Sequence, residues 1–134
     1  MGSTSKSKIQ KLKKKKQILK KIEMLILFDL LGHKNPNFYS YNLHRVTGTT
    51  KQYYKLIEIE KKFGESNFFK EMNIPWDLTD DHIPFGMRGV PVLHLISNPY
   101  PSQWHTDKDT IEIIDKTSIG ILMKIFKKLL EDYQ

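Results

Sequence analysis

Hydrophobic and polar positions alternate in blocks along this chain, and each block carries its own period. Residues 1–21 (MGSTSKSKIQKLKKKKQILKK) are almost wholly polar. Within and just after them, Ile9, Leu12, Leu19 and Ile22 are spaced as a narrow apolar stripe on a helix. Met24–Leu31 (MLILFDLL) is a continuous apolar run closed by Gly32, the pattern of a strand buried in a sheet covered on both faces. His33–Ser40 (HKNPNFYS) reads as a loop from its Asn-Pro content. In Lys51–Phe63, residues Tyr53, Leu56, Ile57, Glu60 and Phe63 recur at helical spacing, and Gly64 is a natural stop. Glu65–Ile83 has no regular period and holds Pro75 with the acidic group Asp77, Asp80 and Asp81. Gly89–Ile96 (GVPVLHLI) predicts a second buried strand, with Pro91 near its start or on an edge. Ser97–Thr110 is a Pro-containing loop. Asp115 suits the N-cap of a last helix running to about Tyr133, with Ser118, Ile121, Leu122, Ile125, Leu129 and Tyr133 near one face.

Two buried strands with intervening and following helices define an α/β layered domain. Ligands in such sheets bind beyond the carboxyl ends of the strands. That rule singles out Asp29 near the first strand's end, His94 in the second strand, and Trp104 and His105 in the loop after it.

Composition then narrows the classes. A chain of 134 residues suits one domain, and 39% hydrophobic with 11% aromatic content excludes a wholly disordered one. The absence of cysteine excludes disulfides, thiolate metal sites and a cysteine nucleophile. The net charge of +7 looks like a signature for nucleic acid, but it is local. Residues 1–21 hold nine lysines and no acid, and the remainder carries a net −2. Such a block is a solvated arm or an exposed helix face, or it meets an anionic membrane or a polyphosphate. The lack of arginine and of interleaved aromatics argues against nucleic acid as a partner. No apolar run approaches the ~20 residues of a membrane-spanning helix, and the flanks of Met24–Leu31 do not suit a signal peptide.

The residues that can do chemistry are few. A carboxylate in MLILFDLL is either satisfied by turn amides at the strand exit or held in a site by other groups, since an unpaired buried acid is costly. Asp80, Asp81 and His82 are adjacent, and neighbouring side chains rarely converge, so a polar turn or helix cap competes with a site. His94 alternates with Leu93 and Leu95 and is a structural or site histidine. His105 stands in a loop after a strand, a favourable place for a metal ligand. HExxH, CxxC, Gly-rich phosphate loops and GxSxG are all absent.

Read in order, LILFDLLGHKNPNF, DDHIPFGMRGVPVLHLI and NPYPSQWHTDKD resemble the carboxyl-terminal part of animal-type glutaminyl cyclases, within the zinc aminopeptidase-like peptidases. The resemblance runs from about Met24 to Tyr133 and is most specific over Asp80–His105. It divides the chain into a lysine-rich arm or helix, 1–21, without a family counterpart, and residues 22–134, the carboxyl-terminal portion of a catalytic domain. The fold implied is part of a three-layer zinc-aminopeptidase-like α/β domain with a mixed central sheet and flanking helices.

The resemblance implies conversion of an N-terminal glutaminyl residue of a peptide to pyroglutamate, with loss of ammonia and the help of one zinc ion. It makes His105 a zinc ligand. It makes Asp29 and Asp80 carboxylates that bond to each other and to a proton-shuttling Glu. Trp104, Tyr100 and His94 are placed in or near the substrate pocket, and Leu78 and Thr79 beside the substrate. Asp81, His82 and Arg88 fit the motif as structural residues. Two further zinc ligands, an Asp and a Glu, and the shuttling Glu come earlier in the family's chain and have no match here. The expectation is a chain inactive alone, from a family that is secreted or Golgi-resident. The alternatives are a zinc aminopeptidase-like hydrolase, in which Asp29 would ligate a second metal, and a non-enzymatic binding module using the basic arm.

Overall fold

The computed structural model describes residues 2–41, 50–75, 78 and 80–133. The lysine-rich segment forms helix α1 (Gly2–Lys20). From Ser5 its side chains are exposed apart from the half-buried Leu19. Of the expected apolar stripe, Ile9 and Leu12 stay 51% and 57% exposed. Leu19 and Ile22 are half-buried, so the stripe finds neighbours only at its carboxyl end. Among the described residues no helix is long and apolar enough to cross a membrane.

Both expected strands form. Strand β1 (Leu25–Asp29) lies parallel to β4 (Val92–Ile96), with Leu25 opposite Val92 and Asp29 opposite Ile96. Pro91 sits just before β4, where its carbonyl accepts the Leu25 N–H at 2.8 Å and its missing donor costs nothing. Two more strands lie in stretches whose patterns predict loop or irregular chain. These are β2 (Phe38–Tyr41) and β3 (Phe69–Ile74), also a parallel pair. In β2 the Asn35-Pro36-Asn37 punctuation hides a four-residue strand. In β3 three consecutive exposed residues, Glu71, Met72 and Asn73, erase the period-two signal, and only the buried Phe69 and Ile74 at its ends betray it.

The two pairs lie side by side. The Asn98 N–H, just past β4, donates to the Asn37 carbonyl, just before β2, at 2.9 Å. At the other end of β2, the Tyr41 ring faces the His94 ring at 5.9 Å. Strand β2 therefore runs against β4, and the strand directions are mixed.

Helices α2 (Thr50–Phe63) and α4 (Lys116–Tyr133) cover one face. Ser118, Leu122, Ile125 and Leu129 are the buried residues of α4, a stripe at helical spacing. Leu122, Ile125 and Leu129 meet Tyr53, Leu56, Leu93, Leu95, Phe38 and Phe69 in one core. Asp115 caps α4: its Oδ2 accepts the Ser118 N–H at 3.0 Å and the Ser118 hydroxyl at 2.7 Å. Gly64 ends α2 with φ +67°, a conformation that favours glycine, and its N–H donates to the Glu60 carbonyl.

Tyr53 ties this helix layer to β2 and β3. Its hydroxyl lies 2.9 Å from the Phe38 carbonyl and 2.8 Å from that of Lys70, and burial pushes its pKa upward. Tyr53→Phe leaves both carbonyls without this donor while keeping the ring. The expected loss is about 1–2 kcal/mol of stability by urea unfolding, and an unchanged midpoint would contradict the bridging role.

Alternation across β1 and β4 places Ile26, Phe28, Leu93 and Leu95 toward the helices. The Phe28 ring meets Phe126 of α4 edge-on at 4.8 Å. Leu27, Asp29, Val92, His94 and Ile96 then face the opposite side. There a tight turn and the one-turn helix α3 (Ile83–Gly86) lie over His94, forming the third layer.

Candidate functional site

Two groups of side chains gather at the carboxyl ends of β1 and β4. The first is built on two carboxylates. Asp29 is the last residue of β1, half-buried, and it shares a hydrogen bond with Asp80. Asp80 in turn lies against His94, with Nε2 3.2 Å from Oδ2. The His94 side chain is buried, and the fully buried His82 ring stacks on it at 4.2 Å and 27°.

The local backbone explains how Asp80 and His82 reach the same neighbour. The Ile83 N–H closes a turn onto the Asp80 carbonyl at 3.1 Å, and Pro84 stands in the first turn of α3. Asp80 Oδ1 also accepts the Asp81 N–H at 2.8 Å, which fixes its carboxylate beside the turn. Asp81 itself is exposed. Of the three adjacent polar residues, the turn thus brings two to His94 and sends the middle one to solvent. Arg88 is exposed and donates from Nη1 to the Pro84 carbonyl at 2.8 Å.

The electrostatics of the two carboxyls differ in sign. Burial raises the Asp29 pKa, and the negative charge and hydrogen bond of Asp80 raise it further. Burial pulls Asp80 upward as well, but the Asp81 amide and the His94 and His82 imidazoles outweigh it and hold Asp80 below its ordinary value. Of the two carboxyls, Asp29 is thus the one pushed toward holding a proton and Asp80 the one pushed toward staying ionised.

The second group lies in the loop after β4. The Trp104 and His105 rings stack at 3.7 Å and 18°, and Tyr100 meets Trp104 edge-on at 4.8 Å. His105 holds a positive φ of 57° that turns the chain sharply after Trp104. Leu78 is half-buried, and Thr79 lies outside the described residues. The sequence-derived residues thus divide: Asp29, Asp80 and His94 converge with His82, and Tyr100, Trp104 and His105 converge with one another.

Two features escaped the sequence reading. His82, read as structural, forms the platform beneath His94; its spacing of two from Asp80 and the following Ile-Pro turn carry the signal. The other is a cleft of about 450 Å³ beside Trp104, lined also by Leu30, His33, Pro101, Ile111, Ile113 and Ile114. His33 there bonds Ser97 Oγ through Nε2 at 3.2 Å, and burial lowers its pKa.

A catalytic zinc takes three protein ligands and keeps one position open. Among the described residues no three His, Asp or Glu side chains are grouped to hold a metal ion. These residues alone therefore do not fit a zinc site; His105 offers one exposed donor.

The layered sheet and the site at its strand ends belong to a known class. The model of peptidase family M28 matches residues 2–130, and the chain belongs to that family. Within it, the chain is 41% identical over 120 residues to a glutaminyl-peptide cyclotransferase of Dictyostelium discoideum. It is 38% identical over 118 residues to a glutaminyl-peptide cyclotransferase-like protein of Bos taurus. Each match takes in 84% of this chain but only 32% and 31% of the relative, so the chain spans about a third of the length of the curated relatives it matches. Among solved structures, an Acidobacteriales bacterium glutaminyl cyclase superposes with a TM-score of 0.71 at 28% identity, over 88% of this chain and 41% of that one. The fold is thus the zinc-aminopeptidase-like α/β fold that the motifs imply.

Proposed function

We propose that this chain carries the carboxyl-terminal part of the catalytic unit of a glutaminyl cyclase, which closes N-terminal glutamine to pyroglutamate. The observation that carries this reading is the Asp29–Asp80 pair held by His94 at the strand ends.

The chemistry suits such a site. The substrate's α-amine nitrogen attacks its own side-chain amide carbon, a C–N bond forms, and the C–N bond to the leaving ammonia breaks. The proton lost by the amine is gained by the ammonia, so no net acid or base is consumed. A carboxylate pair sharing one proton holds a neighbouring acid near the proton affinity that such transfer needs. Trp104 and Tyr100 would wall the pocket, with Leu78 and Thr79 along the substrate backbone. His105 would supply one of three donors to a zinc that polarises the amide carbonyl in the complete site. The other two donors and the shuttling Glu have no matching positions in this sequence.

A chimera tests this. The amino-terminal two-thirds of the Dictyostelium discoideum relative would be joined to residues 22–134 and supplied with zinc. It should release ammonia from Gln-initiated peptides and form pyroglutamate, and a chelator should abolish both. The 134-residue chain alone, with the same zinc, should do neither. A folded chimera that instead hydrolyses the first peptide bond would overturn the reading in favour of an aminopeptidase.

A further inference from the structure

The cyclase reading gives helix α1 no task, yet its segment carries all of the chain's net positive charge. Eight lysines and no acid lie within Gly2–Lys20, and Lys21 follows. Among the described residues the lysines that pair with acids are Lys61, Lys124 and Lys128, all outside α1.

This charge does not suit a helix left bare in water. Lys11 and Lys15, and Lys16 and Lys20, are neighbours at i,i+4, and Lys8, Lys11 and Lys14 repeat at i,i+3, so they repel along the surface. From Ser5 the fold covers only Leu19 in part. The root is fastened: the Lys21 N–H donates to the Ile18 carbonyl at 3.0 Å, the Ile22 N–H to the Leu19 carbonyl at 3.2 Å, and Leu19 and Ile22 are half-buried. A helix of 19 residues is about 28 Å long, so most of that length presents unpaired ammonium groups. A dense negative surface would relieve their repulsion.

The apolar residues of α1 decide between negative surfaces. Ile9, Leu12 and Ile18 are 51%, 57% and 53% exposed. Ile9 and Leu12 share a face at i,i+3, and the methylene stem of Lys16, one turn past Leu12, continues it. Aliphatic side chains gain little against a hydrated phosphate backbone, but they are buried where a basic helix lies at the headgroup–acyl boundary of a bilayer. Helix α1 has no arginine and no aromatic ring to stack on bases. Residues 22–134 carry a net charge of only −2, too little for a second copy of this chain to be the occupant.

We propose that α1 is a membrane-surface anchor that lies on a bilayer rich in anionic phospholipid. Its lysines meet the headgroup phosphates and carboxylates, and Ile9 and Leu12 enter the acyl boundary. The chain passes from α1 into the amino end of β1, whereas Asp29 stands at that strand's carboxyl end. The anchor therefore joins the domain at the end of β1 away from the site. Neither the charge nor the exposed aliphatics draw on the cyclase reading.

Cosedimentation of the full 134-residue chain with vesicles tests this without reading activity. Vesicles of phosphatidylcholine with about one-third phosphatidylserine should bind the chain about 100-fold more strongly than phosphatidylcholine alone, since each lysine near an anionic surface adds to binding. Raising salt from about 0.1 M to about 1 M shortens the screening length from ~10 Å to ~3 Å and should weaken binding about tenfold or more. Lys13→Gln, Lys14→Gln, Lys15→Gln and Lys16→Gln together should weaken it about tenfold or more. Ile9→Gln with Leu12→Gln should weaken it about tenfold, through lost apolar burial. All six side chains are exposed, so both variants should melt as the parent does. Equal binding to the two vesicles, or a fourfold lysine variant of normal melting that binds as the parent does, would overturn the anchor. Duplex DNA of equal total charge, added to the bound chain, should leave it on the vesicles. Release onto the DNA would assign α1 to nucleic acid and overturn the lipid surface.

Discussion

Asp80→Asn in the active chimera should lower kcat/KM for a Gln-initiated peptide by about 10- to 100-fold, the range seen when a group that orients a catalytic residue is removed. The fall should lie mainly in kcat. Asp80 bonds Asp29 and His94 rather than lining the cleft, so ground-state binding of the peptide has little to lose. The substitution keeps the shape and one acceptor but removes the charge. The His94 ring then faces a neutral amide, and Asp29 loses the charged neighbour that raises its pKa. Zinc content should not change, since no role in metal binding falls to Asp80. A variant that loses zinc, or one that raises KM with kcat intact, would show that Asp80 acts in another way.

The same variant has a signature in protonation. Asp29 is raised first by burial and then by the charge and hydrogen bond of Asp80. Removing Asp80's charge should bring the Asp29 titration down toward its ordinary value of 3.8, but not fully, because the burial remains. Carboxyl NMR would read this shift. The sign for stability follows from linkage. Asp80, lowered in the fold, contributes stability above its ordinary value that is lost as pH falls through its lowered pKa. Asp29, raised in the fold, contributes stability below its ordinary value that is lost as pH rises through its raised pKa. The pair is best accommodated between the lowered pKa of Asp80 and the raised pKa of Asp29.

How much of this was legible in the sequence depended on where the buried surface lay. GVPVLHLI is buried all along its strand, and its continuous apolar run states that directly; MLILFDLL carries the same run but forms a strand that is only half-buried, with Phe28 exposed. The α4 stripe and its Asp115 cap were equally plain, because a helix writes one face every three to four residues. Strand β3 was illegible because its middle faces water, and β2 because four residues beside Asn-Pro-Asn give too short a period. At the site, chain order alone placed Asp29 at a strand exit, but not Asp80 beside it. That meeting depends on the turn at Asp80–Ile83 folding back over β4. Motif resemblance named the pair without the geometry, and it could not name the cleft. The cleft exists because two loops distant in sequence are tied through Asp115 and Gly32.

Glu60 shows the same gap between position and purpose, and it carries the largest expected effect on stability. Its spacing puts it on the apolar face of α2, where an acid is out of place, and the structure supplies the reason. Only 3% of the residue is exposed, and its carboxylate accepts three hydrogen bonds. The Phe68 N–H donates at 2.7 Å, the Phe69 N–H at 3.0 Å and the Ser66 hydroxyl at 2.8 Å. Those amides open β3, where both phenylalanines enter the core. Glu60→Ala would strand two buried amides and leave a void beneath them. The expected loss is about 3 kcal/mol by urea unfolding, since each unsatisfied buried donor costs about 1–3 kcal/mol. Glu60→Gln should lose less, because its carbonyl still accepts from one amide, although its NH₂ meets the other unfavourably. Glu71→Ala is the control: Glu71 is exposed, pairs with Lys61 at the surface, and should cost under about 1 kcal/mol. If Glu60→Ala costs no more than Glu71→Ala, the carboxylate does not hold β3 to α2. The core would then stand on the packing of Tyr53, Phe68 and Phe69 alone.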